Sequence, residues 1–141
     1  VPVISGNPRG FYRIGRVWSR IAPDGTVHVA WFDNREGTSL ITGEWEGQTV
    51  EFDKWRVHRA VSFDQGATWK VVSDVSTQPS RGGAGQPKDD NQIYYAPPGE
   101  FLSCTASNEW LWIAWPDSRT YLNQDPDKSE IYLRRVEGGA W

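Results

Sequence analysis

Two short acid–base pairs are the residues of this chain whose types and spacing could do chemistry: Asp33 with Arg35, and Asp117 with Arg119. Arginine is the planar, bidentate reader of carboxylates and phosphates, and eleven of the 15 basic residues are Arg, a bias toward anion recognition. A plainer reading competes. Acid and base two apart at a strand end pair with neighbours or stay solvated, and such exposed pairs contribute at most about 1 kcal/mol. A third candidate, "SFDQGATW" at 62–69, gathers two hydroxyls, an acid, a glycine and two aromatics into eight residues. A fourth, "NQDPDKSE" at 123–130, alternates oxygen side chains at Asn123, Asp125, Asp127 and Ser129, a spacing that could wrap Ca²⁺. It lacks the turn Gly and bidentate Glu of a known calcium loop, so it reads as a hairpin turn, and no metal or cofactor is expected. His28 and His58 sit in strands without ligand-like spacing and read as packing or surface residues.

The elements that must position these groups fit one ordinary domain. At 141 residues, with 38% hydrophobic and 23% charged residues, the chain is globular in composition. The net charge of −3 argues against a general nucleic-acid binder. Its most apolar run, "WLWIAW" at 110–115, is too short to span a bilayer, so no membrane insertion is expected. Nine Trp is a large excess, suited equally to stiff sheet cores and to sugar-stacking surfaces. A single cysteine, Cys104, precludes an intrachain disulfide. The chain contains no Met, which reads as a removed leader or a trimmed piece of something longer, and an extracellular or cell-surface location is expected.

The pattern is β nearly throughout. "TVHVAWF" (26–32) and "WLWIAW" are short, aromatic and β-branched, bounded by "PDG" and "PDS". Both are apolar on two faces, as in a sheet sandwiched between layers. "KWRVHRAVS" (54–62) and "SEIYLRRVE" (129–137) are more mixed, as outer strands are, and no segment has a capped helical period. The chain also repeats. "VHVAWFDNR" (27–35) matches "LWIAWPDSR" (111–119), sharing A-W-x-D-x-R, and "RVHRAVSFDQGATW" (56–69) matches a shortened "IYLRRVEGGAW" (131–141). Variation confined to one connection marks stacked supersecondary units. Between the copies, residues 76–100 are rich in Gly and Pro and read as a long excursion with one short strand at Ile93 to Ala96.

Ser62, Asp64, Gly66, Thr68 and Trp69 match S-x-D-x-G-x-T-W at every defined position, which resembles the Asp-box (BNR) motif of sialidase-like β-propellers. The resemblance covers about Val17 to Trp141, with 76–100 unmatched. It implies an all-β propeller in which the motif is the turn between the third and fourth strands of a blade, on the rim away from the ligand face. The turn also has a local physical reason. Gly66 suits a backbone conformation closed to side chains with a Cβ, and the Asp64 carboxylate suits the turn N–H groups. The motif is therefore read as structural, with Trp69 as its plug.

On that reading residues 1–141 form one propeller segment. Blade one spans about 16–75, the excursion 76–100, and blade two about 101–141, completed by a strand at 1–5. Two four-stranded blades cannot close a ring, since propellers use about four to eight. Either copies of the chain close it, with a six-bladed homotrimer favoured, or the chain is a fragment of a longer propeller.

The resemblance also places candidate ligand residues. "FYRIG" resembles the sialidase F/Y-R-I-P signature, so Arg13 would grip a substrate carboxylate and Arg35 would contact sugar, with Gly15 where the family has Pro. Asp33, Asp117, Arg119 and, in the excursion, Tyr94 and Tyr95 complete the candidate ligand set. Two function classes follow. One is a non-catalytic, lectin-like propeller that binds glycans. The other is an exo-sialidase-type glycoside hydrolase, or part of one, for which no second R-I-P-like segment and no readable Tyr–Glu pairing appear.

Overall fold

A computed structural model describes residues 14–35, 41–45, 48–52, 54–72, 75–81, 93–94, 101–119 and 130–138. These residues contain strands and turns and no helix. The expected strand at 1–5 lies outside them, as do Arg13, Tyr95 and the oxygen-rich 123–129.

The first copy folds as a four-stranded antiparallel sheet in the order β1 (Ile14–Ile21), β2 (Val27–Asp33), β5 (Lys54–Ser62), β6 (Lys70–Val72). Its first turn is built from short-range chemistry. Gly25 has φ +89°, and the Asp24 carboxylate accepts the Thr26 N–H at 2.9 Å. The second copy gives a three-stranded antiparallel sheet in which β10 (Trp110–Asp117) lies between β9 (Ser103–Ala106) and β11 (Glu130–Glu137). Ser107 shapes its turn, the hydroxyl accepting the N–H groups of Trp110 at 3.1 Å and Glu109 at 3.3 Å.

Further strands come from the two long connections. The longer connection after β2 contains a hairpin, β3 (Ile41–Trp45) and β4 (Gln48–Phe52), that the sequence pattern did not announce. The excursion supplies β7 (Ser80–Arg81), which pairs with the first residues of β5, and β8 (Ile93–Tyr94), which pairs in parallel with β4. The strand anticipated at Ile93 to Ala96 is described only over Ile93–Tyr94.

Alternation along the strands fixes the core. On β2 the residues His28, Ala30 and Phe32 share a face, and the β2–β5 register sets Val57, Arg59 and Val61 beside them. This face packs on Leu111, Ile113 and Trp115 of β10, with Leu102, Cys104 and Val136. Each fully buried large side chain there stabilises by roughly 1.5–3 kcal/mol. The two sheets run in the same sense. At one end the β1–β2 turn meets the β9–β10 turn, Asp24 N–H donating to Asn108 Oδ1 at 2.9 Å. At the other end Ser118 N–H donates to the Ser80 hydroxyl at 2.8 Å. Polar groups also cross the core edge, Arg59 donating to the Glu137 carbonyl at 2.7 Å and Arg134 to the Val75 carbonyl at 3.0 Å.

Candidate functional site

The two A-W-x-D-x-R segments fold alike. Residues two apart on a strand point the same way, so Trp31 and Asp33 meet, as do Trp115 and Asp117. Trp31 Nε1 donates to Asp33 Oδ2 at 2.8 Å, and Trp115 Nε1 donates to Asp117 Oδ2 at 3.0 Å. The chain then turns so that Arg35 N–H reaches Asp33 Oδ1 at 3.2 Å and Arg119 N–H reaches Asp117 Oδ1 at 3.0 Å. Each guanidinium folds back onto its aspartate, Arg35 through Nε and Nη2 and Arg119 through Nη2.

The ring next to each Trp is also equivalent. Register sets His58 opposite Trp31 and Tyr132 opposite Trp115. Both ring pairs have centroids 6.0 Å apart, and Arg119 stands 4.5 Å above the Tyr132 ring. His58 Nε2 lies 3.0 Å from Asp33 Oδ1, a contact for which the tyrosine of the second copy has no counterpart.

Electrostatics assign the carboxylates a fixed role. Burial alone would raise the Asp33 carboxyl, but contacts from His58, Arg35 and Trp31 outweigh it and hold the group well below the usual carboxylate range. The hydrogen bond to Asp117 raises Arg119 further above its already high value. Asp33 and Asp117 are both buried. They are anchors that aim Arg35 and Arg119, whose side chains remain 32% and 14% exposed.

Other features converge on this end of the sheets. Ile14 pairs with Asp33, so the chain enters β1 where Arg35 leaves β2. Between Gly15 and Val17 the register shifts, and Arg16 takes a φ of +42°. Such a bulge re-aims the residues around it and costs strain for any side chain with a Cβ. The β3–β4 hairpin leaves from the same end. Among the described residues, Trp55 Nε1, Ser118 Oγ and Arg119 Nε are buried without a hydrogen-bond partner. Trp55 lies opposite Ser80, the residue that takes the Ser118 N–H.

No family model, curated protein or solved structure matches the chain.

The turn at 62–69 lies at the opposite end of β5. Asp64 Oδ1 accepts the Thr68 N–H at 2.8 Å and the Ser62 hydroxyl at 2.7 Å, while Oδ2 accepts the Thr68 hydroxyl at 2.6 Å. The Thr68 hydroxyl, the Thr68 N–H and the Ser62 hydroxyl together lower the Asp64 carboxyl to about 2. Gly66 has φ +95°, and Trp69 Nε1 donates to its carbonyl at 3.0 Å. Every polar group of the motif is thus spent within the turn. Asp33, Arg35, Asp117 and Arg119 gather at the other end. Tyr94 is placed in β8 only as backbone, and no cluster of three His, Cys, Asp or Glu able to hold a metal occurs among the described residues. Ser80, Ser118 and Tyr132 join the site without having been singled out in the sequence, and His58, expected as a packing or surface residue, stands beside them against Asp33. Their signal is register, and register is a property of paired strands.

Proposed function

We propose that the two sheets are sectors of a sialidase-like β-propeller, and that the end bearing Arg35 and Arg119 binds glycans without turning them over. The observation that carries this reading is the repetition of one Trp–Asp–Arg arrangement, at matching distances, on adjacent sheets and at the same end. Each buried aspartate holds its arginine in a fixed direction, which lowers the entropy a ligand carboxylate must overcome on binding. Tyr132, half-buried beneath Arg119, suits the apolar face of a sugar. The turn at 62–69, with its Asp-box pattern, serves the fold at the far end.

A second reading has its own support. The last two residues of "FYRIG", Ile14 and Gly15, begin β1, and Ile14 pairs with Asp33, two residues before Arg35. This favours an exo-sialidase-type hydrolase, with Arg13 and Arg35 on the substrate. A glycan array probed with the chain, run beside release of a fluorogenic sialoside, separates the two. Array binding without release supports recognition. Release that is lost in Arg13→Ala and Arg35→Ala supports the hydrolase. Neither signal removes both.

A further inference from the structure

The outer faces of the two sheets are the two halves of an interface that the chain already contains. Inside the chain, the His28/Ala30/Phe32 side of the first sheet packs on the Leu111/Ile113/Trp115 side of the second. The shared A-W-x-D-x-R segment equates Ala30 with Ala114 and Trp31 with Trp115. The exposed side of the second sheet, with Trp112 and Ala114, is therefore the counterpart of the side that the first sheet buries. The exposed side of the first sheet, with Val27 and Val29, is the counterpart of the side that the second sheet buries.

Neighbouring strands agree. His58 and Tyr132 hold equivalent places, so Ile131 and Leu133 correspond to Val57 and Arg59. Ile131 and Leu133 are 72% and 68% exposed, whereas Val57 and Arg59 are 1% and 0% exposed. On the opposite flank, Val17 is 58% exposed, while its counterpart two residues before Cys104, Leu102, is buried. Ile21 adds 70% exposure on that flank, and Phe101 adds 80% on the other. Apolar patches of this kind on both sides of a folded unit mark interaction surfaces.

We propose that a second copy of this chain covers them, head to tail. The Val17/Ile21 flank of one copy packs on the Ile131/Leu133 flank of the next and repeats the internal sheet-on-sheet packing. An interface between unlike faces propagates until rotation closes it, and with the two packed sheets described here in each copy, three copies give a ring within the usual range of about four to eight sectors. The pairing rests on the propeller reading above. Its test uses no glycan, so a failed pairing leaves glycan recognition standing and an empty glycan array leaves the pairing standing.

The test is mass in solution by light scattering, for the chain and for two variants with lysines on one flank each. The first is Val17→Lys with Ile21→Lys, and the second is Ile131→Lys with Leu133→Lys. All four sites are solvent-exposed within a single chain, and circular dichroism checks that both variants keep the sheet signal. The unaltered chain is expected at the mass of three chains, and each variant alone at the mass of one. Their mixture is expected at the mass of two, because only one sound pair of unlike faces survives. A monomeric unaltered chain overturns the proposal and points to further sheets of a longer chain as the cover. A variant that still self-associates also overturns it, because like faces would then be pairing.

Discussion

Trp31 Nε1 and Asp33 Oδ2 are hydrogen-bonded at 2.8 Å across one strand repeat, and this bond fixes where Arg35 stands. Asp33→Ala leaves the Trp31 donor and the Arg35 charge without their acceptor inside the sheet. Leaving the buried Trp31 donor unsatisfied costs about 1–3 kcal/mol, while the partly exposed Arg35 charge is solvated and adds little. The same change at Asp117 is expected to cost less, since no histidine contacts that carboxylate's counterpart to Oδ1. Urea unfolding of the two variants measures the order.

The acid limb of the stability curve follows from Asp33 and Asp64. Asp33 and Asp64 titrate lower in the folded chain than in the unfolded one, near 3.9. The stability they contribute is fully present above that unfolded value and is lost as pH falls through the folded values. Asp33→Asn is therefore expected to flatten the fall in stability below pH 4. A melting series in acid with the same slope as the unaltered chain contradicts this.

His28 acts in a different window. Burial lowers its pKa, and the Arg59 charge adds to the effect. The unfolded chain takes up this proton near pH 6.5 while the folded chain resists it, so stability falls as pH drops through about 6.5. His28→Gln is expected to remove that component from thermal melts between pH 7.5 and 5.5.

Gly66 tests the turn apart from the site. Its φ of +95° is closed to side chains, while an added Cβ would meet Trp69 at an ordinary 3.7 Å. Gly66→Ala should cost about 1–2 kcal/mol, from backbone strain alone. Glycan binding should be unchanged. A binding defect in this folded variant would move function to the 62–69 end.

Cys104 should be inert in the folded chain. Burial pushes its thiol up to about 11, and the thiolate is the reactive form. Thiol-reagent labelling at pH 8 is expected to follow global unfolding in urea rather than precede it.

Much of the fold was legible because its signals are local. Short aromatic and β-branched runs at 26–32 and 110–115, bounded by turn residues, marked the central strands, and Gly66 and Asp64 carry the turn in their own chemistry. The β3–β4 hairpin was not legible. Its strands, "ITGEW" and "QTVEF", mix Gly, Glu and Gln with few apolar residues, so neither alternation nor a strong turn pair stands out. The acid–base spacing at 33–35 and 117–119 picked out the candidate residues, but not the division of labour among them. Which groups face inward depends on what packs above them. Burial of Asp33 and the contact with His58 arise only once β5 lies beside β2, in a register that letter matching between the repeats does not supply.

The most direct test titrates a sialylated oligosaccharide into the chain by calorimetry, beside Arg35→Ala, Arg119→Ala and the pair combined. Saturable binding that each single change weakens about tenfold or more, roughly 1.4 kcal/mol, and that the double change abolishes is the expected result. Absence of binding, or binding indifferent to both arginines, contradicts the assignment of this end as the recognition face.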